Sequence, residues 1–238
     1  MYVIIYTMRV DYVIKIKNLL KRNYYRVEES LALYLMSQIL PYYKNNDKGH
    51  NVNHVYYVLK RSFWFANKIK QDLNYNIICS LAFLHDAKYC ESVDNHEKLA
   101  AECLQNDDFL NKYFTQEQIE IMSNALIYHD TKQDSSISIY AKILRTADCN
   151  SDVKTILKRL YAFRQKYRKD MNEEDKIKDA YAYFCFMYEK DGLEINKNCF
   201  YDQNLQKMLK VINKFLCNEI LFKKFYKRKK SKKCFCCR

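Results

Sequence analysis

Apolar residues recur at helical spacing along almost the whole chain. Those between Leu31 and Ile39 predict a helix that ends before Pro41, and the polar segment 42–50 predicts a loop. A long helix is predicted over 53–72. The run 77–87 is nearly all apolar, which predicts a central helix enclosed by the others.

The second half of the chain continues the pattern. Thr115 and Gln118 have the spacing of a capping box, which predicts a helix start at this point. No segment shows the alternation typical of a strand. Helices are predicted over 96–104, 115–129, 141–148, 153–167, 173–189 and 205–225. The sequence therefore predicts an all-α bundle of about nine helices.

Composition narrows the possible chemistry and the cellular location. With 2 Gly and 1 Pro among 238 residues, the glycine-rich loops of nucleotide-binding folds are excluded. The 10 Cys are mostly scattered through apolar segments, and no secretory signal or zinc-ribbon spacing accompanies them. We expect reduced cysteines packed as small apolar side chains in an intracellular, cytoplasmic protein.

The net charge of +13 is concentrated at the C-terminus. Nine basic and no acidic residues lie in Lys223–Arg238, which leaves an excess of only four positive charges for the rest of the chain. The 22 Tyr are spread through every predicted helix, as core and boundary residues are. Neither feature predicts a nucleic-acid partner for the core.

The basic C-terminal tail has three interpretations. Its lysines stand beside Cys234, Cys236 and Cys237, a combination that suits an anionic membrane surface if the cysteines are acylated. Peripheral membrane association through Lys223–Arg238 is one possibility. A solvated, disordered tail and a nuclear or nucleic-acid address are the other two.

The five histidines carry the strongest chemical signal. His50, His54, His85, His96 and His129 all lie within one 80-residue window. Asp86 follows His85 at the end of the most apolar helix, where an unpaired charge is costly. A divalent metal would compensate that charge, and so would a helix cap or a lysine.

The order of these residues resembles that of the HD-domain metal-dependent phosphohydrolases. That family has a histidine on one helix, a His-Asp doublet on a following helix and a distant aspartate on a later one. Here the matching segments are Asn53-His54-Val55, Leu81 to Asp86 with its His-Asp end, and Thr146-Ala147-Asp148. The resemblance covers about residues 48–165.

The resemblance implies a metal site and a reaction. His54, His85, Asp86 and Asp148 would bind a divalent ion, which is Mn, Mg, Co, Ni, Fe or Zn. Asp86 and His85 would be the catalytic residues, and water would attack a phosphoryl group. Possible ligands of a second ion, or phosphate contacts, are His96, His129, His50, Lys88 and Arg145.

Two positions depart from the family pattern. Lys88 stands where many members have glycine, and Cys149 stands where many have an arginine after the distal aspartate. A cysteine cannot make the bidentate phosphate contact of a guanidinium. Besides Arg145, the candidate replacements are Lys60, Arg61 and Lys132. The predicted metal set is complete, whereas the predicted phosphate set departs from the family pattern at these two positions.

Two functions follow as hypotheses. The first is a hydrolase of a small phosphorylated metabolite, foremost a nucleotide or related ester, of monoesterase, diesterase or pyrophosphatase type. The second is a non-catalytic HD-domain module that binds nucleotide, lipid or nucleic acid. Four regions are predicted: N-terminal helices over 1–47, the metal-site core over 48–168, helices packing on that core over 169–222, and the tail over 223–238.

Overall fold

Helices are the regular secondary structure in the part of the chain that the structure describes. The computed structural model describes residues 10–23, 26–47, 49–130, 137–149, 152–190, 192 and 199–230. None of these residues belongs to a strand, so the all-α prediction is confirmed. The α-helices are α1 (Val10–Lys21), α2 (Glu29–Tyr34), α3 (Val52–Ala66), α4 (Tyr75–Leu84), α5 (His96–Gln105), α6 (Asp108–Tyr113), α7 (Gln116–Tyr128), α8 (Ile139–Asp148), α9 (Val153–Tyr167), α10 (Glu173–Tyr188), α11 (Gln203–Leu216) and α12 (Glu219–Lys230).

The described residues contain twelve α-helices, a few more than the nine predicted. Part of the difference arises because capping side chains begin additional helices. The predicted helix 205–225 is two helices, because the Asn218 side chain accepts the amide of Leu221 at 2.9 Å and begins α12. In the same way Asp107 accepts the amide of Leu110 and begins the short α6.

The segment around Pro41 differs from its prediction. Helical structure does not stop before this proline: α2 continues as a π-helical turn, Leu35–Ile39, and then as a 3₁₀ helix, Leu40–Lys44. Pro41 is tolerated because it lies at the start of the 3₁₀ turn, where its missing N–H costs no hydrogen bond. The predicted loop is correspondingly shorter.

The first described unit contains α1 to α8 together with residues 199–200. Its centre is α4, of which every residue except Asn76 is buried. Around it pack α3, α7, α8 and the π-helical turn, so the predicted central helix is confirmed. The predicted helix over 53–72 ends earlier, at Ala66. The backbone amide of Asn67 donates to the carbonyl of Phe63 and so caps the last turn, and the Asn67 side chain accepts a hydrogen bond from the Tyr75 hydroxyl at 2.8 Å.

The second described unit contains α9 to α12. Its core is aromatic, with rings of Phe184, Phe215 and Phe222 in contact. The buried guanidinium of Arg164 on α9 donates to the Asp179 carboxylate on α10 at 2.9 Å. The unit begins at residue 149, so α9 groups with the C-terminal helices and not with the predicted core region 48–168.

The structure also tests the expected burial of the cysteines and the presence of membrane-spanning helices. All seven described cysteines are free thiols, but only Cys79 and Cys149 are buried. The expectation that they serve as packed apolar side chains therefore holds for two of the seven. Among the described residues, no helix has the length and apolar character needed to cross a membrane.

The predicted capping box at the start of α7 is present and can be tested. The Thr115 hydroxyl accepts the amide of Gln118, and the Gln118 side chain accepts the amide of Thr115. We expect Thr115→Ala to lower the free energy of unfolding by about 1 kcal/mol, because a helix-end amide loses its partner. Urea unfolding measures this, with the exposed Gln116→Ala as the control that should change little.

Candidate metal centre

Six histidine and aspartate side chains meet where five helices begin or end. His54 lies in the first turn of α3, and His96 is the first residue of α5. His85 follows the last residue of α4, and His129 that of α7. Asp86 comes directly after His85, and Asp148 ends α8. All but Asp148 are buried, and Asp148 is only partly exposed.

Three of the histidines are held by the same local hydrogen bond. Nδ1 of His85, His96 and His129 lies 3.1, 2.9 and 2.6 Å from the carbonyl oxygen of the residue three positions earlier. A carbonyl oxygen only accepts, so Nδ1 carries the proton in each ring. The Nε2 lone pair is thereby left available, which is the arrangement of metal-ligating histidines.

Asp86 lies between two groups of imidazoles. Its Oδ2 is 3.2 Å from His54 Nε2 and 3.3 Å from His85 Nε2. Its Oδ1 is 3.4 Å from His96 Nε2. Potential ligand atoms of His54, His85 and Asp148 form one cluster, and those of Asp86, His96 and His129 form a second, each within 4.8 Å.

The donor atoms fit a cation because lone pairs outnumber protons. His54 Nε2 faces His85 Nε2 at 3.1 Å, Asp86 Oδ2 at 3.2 Å and Asp148 Oδ1 at 2.9 Å. His54 Nε2 carries one proton at most, so it can donate a hydrogen bond to only one of these three acceptor atoms. The buried Asp86 Oδ2 has no well-aligned hydrogen bond to a described residue. These buried clusters could therefore hold a metal ion, and imidazole with carboxylate is a common donor set for transition metals.

The acid-base properties of the site agree with ligand character. Burial alone would raise the pKa of Asp86, but the neighbouring imidazoles, His85 foremost, hold it well below its usual range. The pKa of Asp148 is likewise held low by its contact with His54, against the effect of burial. Burial, together with nearby His85, lowers the pKa of His129 to about 3, so this imidazole is neutral near pH 7.

Two side chains of segment 42–50, Tyr43 and Asn46, form hydrogen bonds with the backbone around His85 and Asp86. The buried Tyr43 hydroxyl donates to the carbonyl of Phe83 at 2.9 Å and accepts the amide of Asp86 at 3.2 Å. The Asn46 side-chain amide donates to the carbonyl of Asp86 at 2.8 Å, and its oxygen accepts the amide of Cys90. The sequence had no signal for either residue, because both lie in the polar segment 42–50 predicted as a loop.

Arg61 links the helix of His54 to the helix of Asp148. Its guanidinium donates to the carbonyls of Ala147 at 2.9 Å and Thr146 at 2.8 Å, which belong to the last turn of α8. These carbonyls lack partners within the helix, and a cation at a helix C-terminus also interacts favourably with the helix dipole. The contact fixes the backbone beside Asp148.

Of the remaining predicted residues, His50 lies beside His54, with 5.9 Å between ring centroids. His50 is held by Asp47 at 2.9 Å and stacks on Tyr89, with 3.7 Å between ring centroids. The Lys88 ammonium lies 2.8 Å from Glu91 Oε1 and over the ring of Tyr42.

Arg145 is completely buried, and its charge acts on the thiol of Cys199. Cys149, next to Asp148, is also buried. Lys60 is exposed, and Lys132 lies outside the described residues. Of the predicted second-ion or phosphate-binding residues, His96 and His129 belong to the second cluster of potential ligands, and His50 belongs to neither cluster found among the described residues.

Comparison of the chain with protein-family models, curated proteins and solved structures found no match.

The contact of Tyr43 with the doublet leads to a stability prediction. We expect Tyr43→Phe to lower the free energy of unfolding by about 1–3 kcal/mol, because two buried backbone groups lose their partner. Urea unfolding measures the change. Tyr42→Phe, at an exposed neighbouring ring, is the matched control. Equal and small effects of the two substitutions would contradict the assigned role.

The neutral imidazole of His129 leads to a pH prediction for the metal-free protein. The unfolded chain takes up this proton near pH 6.5, whereas the folded protein takes it up only near 3. The free energy of unfolding should therefore fall with decreasing pH below 6.5, with a contribution from this group of about 1.4 kcal/mol per pH unit.

The variant His129→Asn tests this assignment. Its side-chain amide can still donate to the carbonyl of Leu126, but it does not titrate. We expect a flatter dependence of the unfolding free energy between pH 6.5 and 4, measured by urea unfolding with a chelator present. Carboxylates with a lowered pKa add a further loss below about pH 4 in both proteins. An unchanged slope in His129→Asn would refute the assignment.

Proposed function

We propose that this protein is a metal-dependent phosphohydrolase of the HD-domain type. Its substrate is a small phosphorylated metabolite, foremost a nucleotide or related phosphate ester. The observation that supports the proposal is the position of Asp86, whose two carboxylate oxygens face different imidazole groups at 3.2–3.4 Å. A carboxylate between two ligand sets suits a pair of neighbouring ions, the arrangement used in two-metal phosphatases.

The potential ligands form two groups, one for each ion. His54, His85 and Asp148 would hold one divalent ion, and Asp86, His96 and His129 the other. Asp86 Oδ2 also faces His54 and His85 of the first set. Four imidazoles favour Mn, Fe, Co, Ni or Zn over Mg, which prefers oxygen ligands. When bound, such an ion lowers the pKa of water and neutralises charge on a phosphoryl oxygen.

The charges of the site explain why it would need cations to accept a phosphate ester. Asp86 and Asp148 are ionised at neutral pH, and His129 is neutral. Without cations, two carboxylates would repel the anionic substrate. Asp148 is the most exposed of the six side chains, so we expect substrate to approach from its side.

A second candidate function is a non-catalytic module that binds nucleotide, lipid or nucleic acid through the same site. Two observations favour it. The Lys88 ammonium is already paired with Glu91, and the residue after Asp148 is a buried cysteine, which cannot grip a phosphate as a guanidinium does.

The decisive experiment compares Asp86→Asn with the wild type. We expect the wild type, loaded with Mn²⁺, Co²⁺ or Ni²⁺, to hydrolyse a nucleotide or a generic phosphoester. Asp86→Asn keeps the side-chain shape but removes the shared charge, and the rate should fall at least about 100-fold. Elemental analysis should show fewer bound ions in this variant.

Asp94→Asn, at an exposed aspartate, is the matched control and should retain both rate and metal. Full activity in Asp86→Asn would refute the proposal. A metal-loaded wild type that hydrolyses nothing in a broad screen, but is stabilised against heat by nucleotides, would favour the binding module.

A further inference from the structure

The last described helix, α12, packs into the second unit by one face only. Phe222 and Tyr226 on that face are buried, and their rings lie 5.8 Å apart. The ring of Phe222 also contacts that of Phe184 on α10. This face anchors α12 within its unit, so its other face has a fixed orientation.

The opposite face of α12 combines an apolar side chain with lysines. Ile220, Lys224 and Lys227 are spaced i, i+4 and i+7, which places them on one side of the helix. All three are exposed, and Ile220, at 80%, is the most exposed large apolar side chain among the described residues. An apolar residue flanked by ammonium groups is typical of helices that lie on a membrane surface.

The charge of this end of the chain is uniformly positive. From Ile220 to Arg238 there are nine basic residues and no acidic one. Glu219, at the start of the helix, is ion-paired with Lys223 at 2.8 Å. Residues 231–238 lie outside the described part, but their sequence adds Lys232, Lys233 and the apolar Phe235.

We infer that the outer face of α12 binds a negatively charged lipid bilayer. Lysines contribute attraction to anionic headgroups, and Ile220 can enter the boundary between headgroups and acyl chains. An anionic polymer such as RNA would attract the lysines but would offer no hydrocarbon to Ile220. The inference does not depend on the reaction proposed above, because it uses residues of the second unit only.

Co-sedimentation with lipid vesicles tests the inference on the full-length protein in the presence of a reductant. We expect binding to phosphatidylcholine vesicles that contain about 30% phosphatidylserine, and not to phosphatidylcholine alone. Added salt should weaken the binding, because it screens the charges. Lys224→Ala with Lys227→Ala should weaken it about 25-fold, or fivefold for each lysine. Ile220→Ser should weaken it about tenfold.

A matched control separates this face from net charge. Lys207 and Lys210 on α11 are exposed lysines of the same unit, and replacing both by alanine changes the charge by the same amount. That control should bind vesicles like the wild type. Far-ultraviolet circular dichroism should show unchanged helix content in every variant, because each replaced side chain is exposed.

Three results would overturn the inference. The first is no binding of the wild type to the anionic vesicles. The second is an equal loss of binding in the two double-lysine variants, which would indicate a net-charge effect. The third is wild-type affinity in Ile220→Ser together with tighter binding to single-stranded polyuridylate, which would make a nucleic acid the partner of this face.

Discussion

The crowding of lone pairs around Asp86 is the constraint on which the rest of the first unit depends. Imidazole nitrogens and carboxylate oxygens approach one another at 2.9–3.4 Å with too few protons between them. Such groups repel unless a cation lies among them, and burial prevents water from screening the repulsion. The surrounding helices must therefore supply the packing energy that keeps them together.

The fold meets this requirement by placing each of these side chains at a helix end. A helix end leaves backbone groups without partners, and these groups become attachment points for supporting side chains. Tyr43 and Asn46 bind the backbone around Asp86, and Arg61 binds the last turn of α8. The imidazoles use local carbonyls to fix their proton on Nδ1. Buried apolar residues of α4 supply the packing on which all of these contacts rest.

The all-α fold class was predictable because apolar spacing is a local pattern of the sequence. Apolar spacing identified α4 as central, and the spacing of Thr115 and Gln118 identified a capping box. Helix ends were less predictable. The Asn218 cap and the π-helical continuation toward Pro41 each depend on a few local contacts that compete with longer apolar patterns.

The sequence by itself predicted the helical class, since apolar periodicity is a local property, and the six histidine and aspartate residues that meet are among the candidates that the order of its residues suggested. Only the tertiary structure decided how they are divided, with Asp86 between two imidazole groups, and that Tyr43 and Arg61 support them. It also placed Lys88 beside Glu91 and buried Arg145. The physical reason is that a lysine, arginine or tyrosine suits many environments, and only the packed neighbours select one.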